Sequence, residues 1–141
     1  MIQLQRQTSQ GDGFVSVKTM DGKKVKKFDA MRMTTQQLHP LAISEDYFHH
    51  EFEPVIRFGP YVFCDQTFER IRTEMMAMVE NRINPLFLDE VGMLEIKGQG
   101  HADLITALLK FPQDLYLSIR EDLIPLFVEK FNIRKYQILS A

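Results

Sequence analysis

One short stretch constrains the fold more than any other: Pro85-Leu-Phe-Leu runs straight into Asp89-Glu90. A brief apolar run bounded by a proline reads as a buried strand of an α/β sheet. Two carboxylates just past its end belong at the carboxyl edge of that sheet, where open α/β folds bind ligands. A polar strand end followed by a turn at Gly92 is the plainer reading, and on these residues alone it is the stronger one.

A strand ending in two acids is also the layout of a Walker B strand. There Asp89 holds Mg²⁺, usually through water, and Glu90 orients or deprotonates the water that attacks a γ-phosphate. The 141 residues contain no Gly-x-x-x-x-Gly-Lys-Ser/Thr, the phosphate cradle that accompanies such a strand.

Composition narrows the setting. The chain fits one domain, 1–141, long enough to bury a core, and its 45% hydrophobic and 26% charged residues are ordinary for a globular protein. A net charge of −2 provides no global attraction to nucleic acid or anionic lipid. The longest apolar run is too short to span a membrane, and the polar start Met1 to Gln10 has no secretory h-region. Cys64 is the single cysteine, which excludes an internal disulfide and suits a reducing cytoplasm.

Met1 to Gly13 reads as a polar lead-in. Residues 14–20 and 25–33 alternate apolar and polar around Asp21-Gly22, which predicts a β-hairpin. Leu38 to Ala42 leads out of it, and residues 43–60, with breakers Pro54, Gly59 and Pro60, read mostly as loop. From Tyr61 to Leu139 the pattern is βαβαβ. Tyr61–Cys64 is a strand, and Asp65 or Thr67 caps a helix with Phe68, Ile71, Met75 and Met78 on one face. The Asp-Glu strand follows, then a helix opened by Gly98-Gln-Gly100 with Leu104, Ile105, Leu108 and Leu109. Asp114–Ile119 is the next strand and Glu121–Phe131 the last helix, with Pro125 tolerated in its first turn. Tyr136–Leu139 is a candidate terminal strand. Strands alternating with helices predict a parallel sheet covered on both faces.

The order of motifs resembles a known family. Asp89-Glu-Val-Gly-Met-Leu-Glu-Ile-Lys-Gly-Gln-Gly100 is similar to the Asp-Glu-Ile-Gly-x-Leu/Met-Glu signature of the small P-loop nucleoside-triphosphatases first described from thermophiles, bacterial branch. Gly13-Phe14, Asp21-Gly22-Lys23-Lys24, Phe28-Asp29 and Pro40-Leu41-Ala42 resemble that family's basic hairpin insertion, residues 14–42. Phe58-Gly-Pro-Tyr-Val62 and Ile119-Arg-Glu-Asp-Leu123 match later segments, so the likeness spans roughly residues 11–139. It implies a three-layer α/β P-loop fold with a hairpin insertion, and Mg²⁺-dependent cleavage of NTP to NDP and phosphate. The family's strand, P-loop and helix ahead of the hairpin, and the archaeal members' terminal Asn-Arg, are not seen in this sequence. The likeness therefore predicts a domain without activity in this form, Mg²⁺ held only with bound nucleotide, and nucleotide bound only if a P-loop is supplied. A non-catalytic binding or scaffold module, or one subunit of a two-chain enzyme, are the alternatives. A missing central strand also predicts an open edge beside the Asp-Glu strand, hence a homo-oligomer or a partner chain.

By this resemblance Asp89 is the metal ligand and Glu90 the catalytic residue. Glu95 supports them by hydrogen bonding, or is a solvated helix start. Arg120 reaches a phosphate, although an Arg beside Glu121 and Asp122 is more often a surface ion pair. Gly98-x-Gly100 at a helix start can hold phosphate, but a tight turn is the commoner use. His49-His50-Glu51-x-Glu53 invites a metal site, yet adjacent residues of an extended chain point to opposite sides. Lys23, Lys24, Lys26 and Lys27 near Phe28 suit nucleic acid, but an exposed hairpin tip is commonly lysine-rich and the net charge opposes it. Cys64 reads as a small buried residue.

Overall fold

The computed structural model of the chain describes residues 10–48 and 55–139. Strands β1 (Asp12–Asp21) and β2 (Lys24–Arg32) form the expected hairpin around a two-residue turn at Gly22-Lys23, where Gly22 takes φ +62°. Then come β3 (Leu38–Ser44), a 3₁₀ turn (Glu45–Tyr47), β4 (Val55–Phe58) and β5 (Tyr61–Cys64). The remainder is α1 (Asp65–Glu80), β6 (Leu86–Val91), α2 (Met93–Ile96), α3 (Ala102–Leu108), β7 (Leu115–Ile119), a second 3₁₀ turn (Glu121–Leu123) and α4 (Ile124–Lys130).

All seven strands join one mixed sheet in the order β4-β5-β3-β2-β1-β6-β7. Only β1, β6 and β7 run parallel; the other pairings are antiparallel. The two parts meet at a narrow seam, where Asp12, Gly13 and Phe14 pair with Leu86, Phe87 and Leu88. The α/β class is as expected. The sheet is mixed rather than parallel because the hairpin and β3 to β5 outnumber the crossover strands.

Alternation along β6 divides the core. Leu86 and Leu88 face a large cluster with Phe14 and Ala30, covered by Ile71, Met75 and Met78 of α1, Leu104, Ile105 and Leu108 of α3, and Phe127 of α4. Phe87 faces the other way, with Val15 and Met33, and stacks on Tyr116 at 5.1 Å. Each such large side chain removed from water contributes about 1.5–3 kcal/mol. No described helix contributes to the second cluster, so the expected helical cover on both faces is found on one.

Four local expectations are corrected. Residues 38–44 form a strand despite Pro40, because Pro40 lies opposite Asp29 at a register shift, where its missing N–H costs no ladder bond. Gly59-Pro60 does not end structure but makes the tight β4–β5 turn, with Gly59 at φ +59°. A short helix, α2, precedes the glycines at 98 and 100. Finally, Tyr136 to Leu139 forms no strand and stands exposed beside β7. The Asp-Glu strand β6 is paired on both sides, so among the described residues the open edge of the parallel part is β7, not β6. Among the described residues no helix is long and apolar enough to cross a membrane.

Candidate functional site

The acid pair lies where the β6–β7 ladder breaks register. Leu88 pairs with Leu117 and Val91 with Ile119, so β6 inserts one extra residue between these pairs, a β-bulge. Glu90 takes the left-handed conformation there, φ +54°, which is uncommon for a residue with a Cβ and costs about 1–2 kcal/mol. Such strain persists only where neighbours fix it. Here Ser118 does so: the Glu90 N–H donates to Ser118 Oγ at 2.9 Å, and Ser118 Oγ–H donates to Asp89 Oδ1. The Ser16 N–H of β1 donates to Asp89 Oδ2 at 3.0 Å. Three adjacent parallel strands thus hold one half-buried carboxylate, which has no ion-pair partner among the described residues. The Glu90 carboxylate points outward, 45% exposed, with Lys18 Nζ at 4.0 Å.

Arg120 directly follows β7, so it stands on the same carboxyl rim. Its guanidinium pairs with Asp122 at 2.5 Å, which holds Arg120 above and Asp122 below their ordinary pKa values. Both are fully exposed to solvent, so that ion pair is weak and easily exchanged.

Glu95 is neither a solvated helix start nor in contact with the acids. It is 3% exposed; Oε1 accepts the Gly92 N–H at 2.7 Å and Oε2 the His101 N–H at 3.0 Å. The first bond is the return half of a capping box at α2. Burial raises the Glu95 pKa, and the two N–H donors oppose that rise. Glu95 therefore ties both ends of the 92–101 loop together behind the acid pair. Gly100, φ +61°, is dictated by this: a Cβ would lie 2.3 Å from Glu95 Oε2. The Gly98-x-Gly100 pattern is a turn, and α3 starts only at Ala102.

His101 sits beneath, 5% exposed, edge-on to Phe68 at 4.7 Å, and burial drives its pKa down to about 4. An unfolded chain protonates this histidine near pH 6.5, so it binds more protons than the native state between pH 6.5 and about 4. Stability must fall as pH drops through that window, by up to about 1.4 kcal/mol per unit, and the slope ends below about 4. Glu95, raised above 4.5, has the opposite sign, so parent and variant must be compared. Urea titrations at stepped pH should show the parent losing about 2–3 kcal/mol more than His101→Phe between pH 6.5 and 4. Parallel profiles would remove His101 as the acid-sensitive group.

A second charged cluster lies at the opposite, amino edge of the sheet. Arg32 donates to Asp12 at 2.9 Å and to Glu74 at 3.0 Å, Thr34 also donates to Asp12, and His39 Nε2 stands 3.6 Å from Glu74. It ties the hairpin base to α1 and is distant in register from Asp89. Cys64 is free and half-buried at the end of β5. The His49-His50-Glu51-x-Glu53 group lies outside the described residues.

Ser16 and Ser118 escaped the sequence reading. The one signal was a lone serine in the run Leu115 to Ile119. Chemically, the rim offers hard oxygen donors, the Asp89 and Glu90 carboxylates and the Ser118 hydroxyl. That set suits Mg²⁺ only if further oxygens come from a ligand, since no group of three His, Cys, Asp or Glu converges among the described residues.

Comparisons with known proteins bear on the fold and the family. No curated protein matches the sequence. The solution structure of a human cancer-related nucleoside triphosphatase superposes with a TM-score of 0.60 at 19% identity, covering 92% of this chain and 72% of that one. At that identity the likeness establishes the fold. The sequence profile of the NTPase family matches residues 1–140, and the chain belongs to that family.

Proposed function

We propose that this domain carries the metal-and-water half of an Mg²⁺-dependent nucleoside-triphosphate hydrolase of the cytoplasm, converting NTP to NDP and phosphate. The observation that carries the reading is Asp89 and Glu90 on the bulged carboxyl end of β6, fixed by Ser118 and Ser16. Asp89 would be the residue that holds the cation, as the Walker-B-type ligand. Mg²⁺ bound with nucleotide would supply charge neutralisation to the phosphates. Glu90 accepts a proton from the attacking water as its oxygen bonds to the γ-phosphorus and the bond to the β-phosphate oxygen breaks. Arg120 exchanges Asp122 for phosphate. Glu95 keeps the 92–101 loop in place behind them.

What these residues lack is a phosphate cradle, and the fold has a place for one. The open edge of β7 faces a cleft of about 650 Å³ walled by Leu109, Phe111, Leu115, Phe127 and Leu139. The cleft does not include Asp89 or Glu90, so we read it as the seat of a further strand rather than as the substrate pocket. Its open backbone and apolar walls suit a strand carrying the P-loop, supplied by the same polypeptide, a second copy or a partner chain. A scaffold role is the competing reading.

Phosphate-release assays separate them. The 141-residue chain with Mg²⁺ and NTP should release none above background, because Mg²⁺ and nucleotide each need the cradle to bind well. Adding a family-type strand, P-loop and helix ahead of Met1 should create Mg²⁺-dependent turnover. Robust turnover by the 141 residues alone would overturn the division of labour; a restored, folded yet inert protein would favour the scaffold.

A further inference from the structure

The geometry points to a second surface, a shelf for the bases of single-stranded nucleic acid on the hairpin half of the sheet. The proposal does not depend on NTP hydrolysis. Directly paired residues of a sheet share a face, and the pairings Lys18 with Phe28, Phe28 with Ala42, and Ala42 with Phe63 set one such face. Tyr61, two residues from Phe63, and Phe58, its partner on β4, lie on that face as well. Between Phe28 on β2 and Tyr61 on β5 runs β3, which presents only Ala42 and Ser44. Small side chains there let the rings lean across, so Phe28 and Tyr61 meet at 5.3 Å. Phe28, Tyr61 and Phe58 are all half-buried rather than buried, so each ring keeps part of its surface in solvent, and Phe28 and Tyr61 meet edge to face.

Cations close both ends of the row. Lys18 Nζ lies 5.7 Å from the Phe28 ring centre, and Lys97, from the loop after α2, lies 5.3 Å from that of Phe58. A third pair, Lys26 over Tyr47 at 5.5 Å, flanks the hairpin tip. A fourth, Arg57 over Phe48 at 4.9 Å, lies in the same half. Cation–aromatic pairs of this kind occur about once in 70–80 residues, so four whose rings lie in one half of a small domain are a concentration. Residues 14–32 hold six Lys and Arg against two Asp, but Arg32 is bound to Asp12 and Glu74 at the hairpin base and Lys27 pairs with Asp29. The cations that the aromatic side chains meet are Lys18, Lys26 and Lys97. Acids border the row at Glu90 beside Lys18 and Asp29 beside Lys27. Lys23, Lys24, Lys26 and Lys97 have no carboxylate partner among the described residues.

Aromatic faces interleaved with unpaired lysines match a polymer that alternates planar bases with phosphates. A duplex hides its bases and an anionic membrane offers none, so single strands fit best. Because Lys18 also neighbours Glu90, the shelf begins at the rim of the acid pair.

Fluorescence anisotropy with labelled oligothymidylate and oligouridylate of about 20 nucleotides at about 50 mM salt tests this on the full 141-residue chain. Both should bind more tightly than a duplex of equal length. Lys18→Gln with Lys97→Gln should weaken binding about tenfold or more and flatten the salt slope by about 0.7 per lysine. Tyr61→Leu should weaken binding about fivefold or more without changing that slope, since stacking is not ionic. Circular dichroism establishes that each variant is folded; the exposed lysine pair carries the test if Tyr61→Leu is not. Absent binding, equal binding of duplex, or lysine variants indistinguishable from the parent would overturn the proposal. So would binding to phosphatidylserine vesicles without binding to either oligonucleotide.

Discussion

Glu90→Gln, made in a protein that carries a strand, P-loop and helix ahead of Met1, is expected to slow NTP turnover by about 10²–10⁴-fold. Nucleotide affinity should stay within about twofold, because the group lost acts on water rather than on phosphate. The substitution is conservative where the structure matters. The bond that fixes position 90 is its backbone N–H to Ser118 Oγ, which a glutamine keeps. The side chain is outward and its nearest cation, Lys18, is 4.0 Å away, so no buried charge is orphaned. What changes is basicity alone. Asp89→Asn provides the contrast: its one oxygen still accepts the Ser16 N–H and its NH₂ can donate to Ser118 Oγ with the hydroxyl turned away, but the cation loses its carboxylate, so Mg²⁺-nucleotide affinity should fall together with turnover. Phosphate release and calorimetric titration of Mg²⁺-nucleotide measure the two quantities separately. Turnover indifferent to Glu90→Gln would show that the attacking water is handled elsewhere.

The bulge gives that prediction its physical basis. A strand that continued regularly past Leu88 would alternate Asp89 and Glu90 to opposite faces of the sheet. Inserting one residue, with Glu90 at φ +54°, re-aims both carboxylates at the rim. Ser118 acts twice, once for the backbone of residue 90 and once for the carboxylate of residue 89. Its hydroxyl thereby couples the positions of the two acids.

The placement of Asp89 and Glu90 near the carboxyl end of a buried strand was legible in the sequence, because that strand is a continuous apolar run and their offset along it is local. Ser16 and Ser118 were not, because they reach Asp89 through strand register, which no local pattern encodes. Glu95 was legible as a family position but not as a clamp. Its spacing from Gly92 is that of a capping box, yet a four-residue helix between two glycines gives too little periodicity to see. In the fold, α1 announced itself through Ile71, Met75 and Met78, whereas β3 and β4 were masked by Pro40, Pro54 and Gly59, residues that mark loops unless tertiary pairing overrides them. Tyr136 to Leu139 has strand-like composition but lies across a cleft from the only parallel edge it could join. A strand needs a neighbour as well as a pattern.

That dependence on neighbours is sharpest at Gly13, where the second large effect is expected. Three residue pairs join the hairpin half of the sheet to β6, and Gly13 opposite Phe87 is the middle one. A Cβ at Gly13 would lie 2.0 Å from the Phe87 carbonyl oxygen and 2.7 Å from its carbon and nitrogen. These are backbone atoms of a central strand and cannot swing aside as a flexible side chain can. Gly13→Ala must therefore push β1 off β6, which opens the seam and withdraws the Ser16 N–H from Asp89. A destabilisation of about 3 kcal/mol or more is expected, at the upper end for an overpacked site. Gly22→Ala is the control. Its φ of +62° is a left-handed conformation that alanine reaches at a cost, whereas the φ of +156° at Gly13 belongs to glycine, and nothing lies within 4 Å of the carbon added at residue 22. It should cost only the backbone term, about 1–2 kcal/mol. Urea unfolding of both variants, with amide exchange of residue 16, compares the crowded seam with an open turn. If Gly13→Ala proves no worse than Gly22→Ala and the Ser16 amide stays protected, the seam is more compliant than its contacts allow, and the acid pair does not depend on it.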